Sequence, residues 1–192
     1  MARKTAADKR NRLVEAAAKL FWTKGYAGAS LADIATEADV PLGNVYYYFK
    51  SKAALARAVA DMFVDDVERK LDEIEGTGAP ATARLSAILG VMAQGSEDYD
   101  KHGCQIAAAI RDFSAFDKDT ARRAGEAFEM LERRLQETLV DTGVATDVAR
   151  RRAERTVTEW QGAIVTAQGT RDADRLHRAF RDMADDLGCL AP

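Results

Sequence analysis

Residues 40–52, VPLGNVYYYFKSK, decide how the rest of the chain is read. Tyr46, Tyr47 and Tyr48 stand between the apolar Val45 and Phe49 and are followed by Lys50 and Lys52. On a helix successive side chains fan out by about 100°, so three adjacent rings cannot all face one core. A buried helix would favour aliphatic residues, and a solvated one rarely carries three large amphipathic rings. The stretch predicts a short helix that packs one ring inward and turns the others toward something outside the domain.

Upstream, Leu13, Ala17, Leu20 and Phe21 mark an amphipathic helix that the Lys24-Gly25 pair should stop. Ser30 and Asp33 have the spacing of a capping box at the start of SLADIATEA, with Asp where Glu is usual. DVPLG then breaks the pattern, and Asp39 sits where a left-handed turn residue is needed, which Asp tolerates better than most. Ser51 is positioned to cap a fourth helix with the stripe Leu55, Val59, Met62, Phe63, Val67, Leu71 and Ile74. A longer helix followed by two short ones joined by a tight turn is the pattern of a helix-turn-helix. Its second short helix, residues 42–48 here, enters the major groove of DNA. Gly43 would let a phosphate approach closely, Asn44 could pair with base edges, and the tyrosines could reach phosphates and thymine methyls. Lys52, in the first turn of the next helix, would meet a phosphate together with the backbone N–H groups there.

Charge points the same way. The chain of 192 residues carries a net −3, but residues 1–55 hold nine Lys/Arg against five Asp/Glu, a net of +4, and the remainder is at −7. A basic head on an acidic body suits a polyanionic partner, although solvated charge alone can fluctuate this much.

Beyond EGTGAP at 75–80, the clearest break in composition, five more helical stripes follow. They run through Leu85, Ile88, Leu89 and Met92, then Ile106, Ile110 and Phe113, then Ala124, Phe128, Leu131, Leu135 and Leu139. An eighth helix carries Val157, Trp160, Ile164 and Ala167, and a ninth Leu176, Phe180, Met183 and Leu187. No segment alternates with period two, and Pro41 and Pro80 both stand where a helix would begin. The expectation is an all-α chain of about nine helices, with a three-helix head over residues 1–52 and a larger helical domain over 53–192.

Several function classes drop out. No apolar run approaches the ~20 residues of a membrane helix, and the basic N-terminus lacks the apolar core of a secretory signal. His102, His177, Cys104 and Cys189 have no zinc spacing, and no phosphate loop or nucleophile motif is present. No metal, cofactor or catalysis is expected, and a reduced cytoplasmic setting is.

RLVEAAAKLFWTKGYAGASLADIATEADVPLGNVYYYFKSKAAL, residues 12–55, resembles the DNA-binding head of the TetR family of bacterial repressors. The elements A-x-x-L-F-x-x-x-G-Y, I-A-x-x-A, G-N-V-Y-Y-Y-F and S-K-x-x-L occur in that family's order and spacing. Asp39 departs from the customary turn Gly, Ala29 from Thr or Ser, and Pro41 from a capping Ser. The resemblance implies DNA contacts from Ser30, Leu42, Gly43, Asn44, Tyr46, Tyr47, Tyr48 and Lys52 to a double-stranded operator. It also implies a body that binds a small-molecule effector and forms a homodimer through the eighth and ninth helices. There, Gly162, Ala163 and Ala167 would allow close approach, Trp160 would be a large anchor, and the ninth helix would supply a matching stripe; each stripe can equally be internal core. Phe63, Met92, Cys104, Phe113, Phe116 and Trp160 are candidates to line the effector pocket, with Tyr99, His102, Gln105, Arg111 and Gln161 as polar partners. Cys104 has two readings: a thiol activated by a helix start, Lys101 and His102, or, the preferred one, a small hydrophobe packing that start. The rival to a DNA-binding head is a head that binds another protein.

Overall fold

The structure, a computed structural model, describes residues 2–94, 99, 101–172 and 174–192, and side chains from residue 7 onward. Nine helices are assigned among the described residues: α1 (Ala2–Gly28), α2 (Leu31–Glu37), α3 (Leu42–Tyr48), α4 (Lys52–Gly76), α5 (Ala81–Ala93), α6 (Gln105–Ser114), α7 (Lys118–Asp141), α8 (Thr146–Thr170) and α9 (Asp174–Leu187). The fold is all-α.

Local chemistry sets most of the boundaries. Gly25, at φ 75° and ψ 157°, breaks the helical path of α1, a conformation open to glycine at little cost. At α2, Ser30 Oγ accepts from Asp33 N–H while the Asp33 side chain accepts from Ser30 N–H, a complete capping box. Asp39 lies at φ 50° between α2 and α3. Ser51 Oγ accepts from Ala54 N–H at 3.1 Å at the start of α4. Pro41 and Pro80 are the residues before α3 and α5. At α7, Asp117 accepts from the N–H of Asp119 and the hydroxyl of Thr120. These bonds, Thr120's first, hold the Asp117 carboxyl below its usual pKa.

The chain divides into two compact units. The first takes in residues up to Val64 together with Gln105–Gly125. Its core joins Leu13, Ala17 and Phe21 of α1, Ile34 of α2 and Val45 of α3 to Leu55, Val59 and Phe63 of α4 and Phe113 of α6. The division therefore does not follow the linear boundary at residue 52, because the first turns of α4 and all of α6 bury their apolar faces with the head helices.

The second unit is Asp65–Cys104 with Glu126–Pro192. Leu85, Ile88, Leu89 and Met92 of α5, Leu131, Leu135 and Leu139 of α7, and the inner faces of α8 and α9 are buried in it. Arg84 donates to Glu75 and Asp141, and Arg134 to Asp72 and the carbonyl of Leu71. The α9 stripe of Leu176, Phe180, Met183 and Leu187 is buried within this single unit, where α9 packs along α8 and meets α5. The stripe is internal core, not a face left over for a second subunit.

Candidate nucleic-acid interface

α3 is seven residues long and held by one fully buried side chain, Val45. Phe49, which ends the helix, is buried too and lies beneath the Arg10 guanidinium at 5.3 Å. With those two pointing inward, the helical fan sends Tyr46 and Tyr47 outward, 53% and 75% exposed, beside Leu42 at 44%. Tyr48 is half-buried and meets the edge of Tyr47 at 5.0 Å. A Cβ on Gly43 would meet nothing within 4 Å. The fold itself does not demand glycine there, which leaves close approach by an outside group as a use for it. Asn44 is half-buried and its N–H donates to Pro41 O at 2.8 Å.

Two further predicted contacts flank α3. Ser30 is exposed but occupied by the capping box of α2. Lys52 opens α4, and its ammonium sits 4.4 Å from the centroid of the Tyr26 ring and 3.5 Å from Ala27 O. Partial burial lowers its pKa below the usual lysine value. Tyr26 is in turn stacked on Phe116, with centroids 4.2 Å apart and planes 13° apart, and meets Phe21 and Phe113. Its N–H donates to Asp112 Oδ2 at 2.9 Å. The start of α4 is thus seated on a ring that α6 fixes from the other side.

Sequence reasoning missed Tyr26, Asp112 and Arg12. Arg12 Nη2 donates to Ala38 O at 2.5 Å, Asp39 O at 2.8 Å and Asp39 Oδ2 at 3.0 Å. Its partners are backbone atoms 26 and 27 positions away, for which a sequence carries no local signal.

Three of the six effector candidates lie in each unit. Phe63 and Phe113 border a cavity of about 10 Å³ in the first unit, with Phe21, Trp22, Gln105 and Asp112 among its walls. That is space for one water at most. Phe116 is 39% exposed and engaged with Tyr26. Met92, Cys104 and Trp160 belong to the second unit and are buried there. Trp160, expected as an anchor between subunits, is 3% exposed within the single chain, packed against Phe128 at 6.0 Å and Tyr99 at 6.4 Å. Its Nε1 and the Nε2 of Gln161 are buried donors without a hydrogen-bond partner among the described residues. Burial, and secondarily Cys104, push the Tyr99 phenol above its usual pKa; its hydroxyl donates to Gln94 O at 2.8 Å. Cys104 directly precedes α6, and neither it nor Cys189 is in a disulfide. No helix among the described residues is long and apolar enough to cross a membrane.

Residues 13–59 match the family described as bacterial regulatory proteins, tetR family, and residues 80–182 match the C-terminal domain of LmrA/YxaF-like transcriptional regulators. The chain is 28% identical over 174 residues to the HTH-type transcriptional repressor DhaR of Mycobacterium sp. (strain GP1), spanning 87% of this chain and 86% of that protein. An uncharacterised HTH-type transcriptional regulator from the lacX 3' region of Lactococcus lactis subsp. lactis is 26% identical over 174 residues, 89% of each chain. Among solved structures, a TetR transcriptional regulator from Legionella pneumophila aligns with a TM-score of 0.78 at 21% identity, over 91% of this chain and 94% of that one. The reduced form of E. coli NemR aligns at 0.76 and 20% identity, over 96% and 100%. At such identities the structural likeness is one of fold.

Proposed function

Because the chain belongs to the tetR family of bacterial regulatory proteins, a family of transcriptional regulators, we propose that it is a ligand-responsive repressor that binds a pseudo-palindromic operator as a homodimer. Residues 1–52 read the DNA, and residues 53–192 bind the effector and join the subunits, in the cytoplasm. One observation carries the reading: α3 buries Val45 and leaves Leu42, Tyr46 and Tyr47 to solvent next to Gly43. A contiguous group of exposed aromatic and apolar side chains is the mark of a surface that meets a partner, and a helix of this kind fits the major groove. Ser30, Asn44, Tyr48 and Lys52 complete the contact set, with Lys52 bound to phosphate. Two such helices would meet successive major grooves roughly 34 Å apart. Repression, in preference to activation, is supported by the name of the Mycobacterium relative.

The dimer face we assign to α8 and α9 centres on the outward side of α8. Thr158, Gly162, Val165 and Gly169 are all exposed and follow one another at helical spacing. Val165 is 66% exposed, and Gly162 and Gly169 have open space beside them, which allows a second helix to come close. For the effector, the unpartnered Trp160 Nε1 and Gln161 Nε2 favour a molecule with acceptor atoms, since buried donors are otherwise satisfied. Met92, Cys104 and Trp160 of the second unit then supply its apolar wall, while Phe63, Phe113 and Phe116 are the candidates that lie in the first unit. The test is fluorescence anisotropy with a labelled duplex from the gene's own upstream region against a scrambled duplex. Wild-type protein should prefer the former and lose that preference as Tyr47→Ala. Equal binding to both duplexes by the wild type removes the operator reading.

A further inference from the structure

We infer that Arg12 is a positioning residue for the recognition helix: it clamps the left-handed turn between α2 and α3 and so fixes the direction in which α3 meets DNA. The inference rests on the DNA-binding reading above and deepens it.

The turn has an unusual burden. The last carbonyls of a helix have no intrahelical donor, and Ala38 is the C-cap of α2. The next residue, Asp39, is a non-glycine at φ 50°, a conformation that brings an L side chain too close to its own carbonyl. Only Val40 and Pro41 then separate it from α3, so any relaxation at Asp39 swings the whole recognition helix. Arg12 reaches in from α1 and donates to the carbonyl on each side of the strained residue, Ala38 O at 2.5 Å and Asp39 O at 2.8 Å, and to the Asp39 carboxylate at 3.0 Å. The carboxylate is 99% exposed, so its pairing with Arg12 is screened and weak. The two backbone carbonyls are the substance of the clamp. They also explain how Asp is tolerated where a glycine would adopt the turn unaided.

A guanidinium in the head could alternatively touch phosphate, or merely stabilise the fold, and each role has its own signature. The experiment compares wild type, Arg12→Ala, Arg12→Lys, Asp39→Gly and the double variant Arg12→Ala/Asp39→Gly. Each is titrated across salt with a duplex selected by the wild type from a random pool and with a scrambled duplex. Arg12→Ala should weaken binding to the selected duplex about tenfold or more, and to the scrambled duplex by no more than a few-fold, at unchanged salt slope. Arg12→Lys should fall between, because all three bonds come from the one nitrogen Nη2, which an ammonium on a shorter, more flexible stem replaces only in part. Asp39→Gly should restore most of the preference in the Arg12→Ala background. Equal loss on both duplexes with a slope lowered by about one, and full retention in Arg12→Lys, would make Arg12 a phosphate contact and overturn the clamp. Equal loss on both that tracks a lower melting temperature overturns it as well. If the wild type selects no duplex, the DNA-binding reading fails, and amide exchange on the DNA-free protein still decides the clamp. Arg12→Ala should then speed exchange at Asp39, Val40 and Asn44, whose N–H groups bond to Thr36, Ala35 and Pro41 carbonyls. Unchanged exchange at those three amides overturns it.

Discussion

On α3 the side chains left uncovered are large and amphipathic: Tyr46, Tyr47 and Leu42, with Lys50 at the far end. On α8 the N-terminal half exposes charges such as Arg151 and Glu154, but from Thr158 onward the uncovered residues are small: Thr158, Gly162, Thr166 and Gly169 around Val165. Both helices bury an opposite face, Val45 on α3 and a stripe from Ala149 through Trp160 to Ala167 on α8. Large rings with hydroxyl tips can span grooves and reach phosphates, and they hold their geometry at low entropic cost because they have few rotatable bonds. Small residues do the reverse, reaching little and letting another helix axis come near. On the function proposed above, these two uncovered faces would serve different partners, a polyanion for α3 and a second copy of the chain for α8.

The largest effect should come from crossing the two faces of α8. Trp160→Arg places a charge among Tyr99 and Phe128 on the inner face. A cost of about 3–5 kcal/mol is expected, a large part of a domain's stability, read as a collapse of the urea midpoint. Val165→Arg, five residues on but facing outward, should leave the unfolding of the chain within about 0.5 kcal/mol of wild type and yet abolish the dimer in sedimentation. A Val165→Arg dimer as tight as wild type would move the interface off this face, and a Trp160→Arg protein with an unchanged midpoint would undo the inner-outer distinction.

The same contrast explains what could be read in advance. The capping box of Ser30 and Asp33, the Ser51 cap, the break at Gly25 and the left-handed Asp39 were legible, because each is a transaction among residues within four positions of one another. The inward and outward rings of α3 followed from the helical fan alone. What could not be read is anything joined across distance. The Tyr26 N–H finds Asp112 86 positions away, and Arg12 bonds to main-chain atoms that no residue type advertises. The α9 stripe was legible as a stripe, but an apolar face does not say whether its own chain or a partner will cover it. For the same reason the sequence marks Trp160 as a large anchor but does not say that its own chain covers it. The six effector candidates shared only their apolar character, and three of them lie in each unit.

On α3 the effects should appear in binding and not in stability. Tyr47→Ala removes a side chain that is 75% exposed, so the melting temperature should hardly move. Operator affinity should fall by roughly tenfold, with the scrambled duplex little affected, because the ring is proposed to read a base edge such as a thymine methyl, a contact of about 1–3 kcal/mol. Lys52→Ala should weaken selected and scrambled duplexes alike by a few-fold and lower the salt slope by about one. Because the ammonium is seated on Tyr26, Tyr26→Leu should reproduce part of that loss without removing the charge. A salt slope that stays at the wild-type value in Lys52→Ala would take Lys52 out of the phosphate contacts.

The smallest effect expected is at the start of α2, where pH acts on the capping box. The Asp33 carboxyl is held below its ordinary pKa, first by the Ser30 hydroxyl, then by the Ser30 N–H and by the charge of Lys24. The folded protein therefore binds that proton less readily than the unfolded chain does. The resulting stabilisation is fully present above the usual carboxylate range and is lost as pH falls through the lowered folded value. Asp33→Asn keeps an acceptor for the Ser30 groups but neither titrates nor attracts Lys24. The melting temperature of the wild type should exceed that of Asp33→Asn by its full, small margin near neutral pH, and the margin should close below about pH 4. A margin that stays constant down to acid pH, or widens there, would mean that the charge on Asp33 contributes nothing to the box and that its geometry alone holds α2 in place beneath the recognition helix.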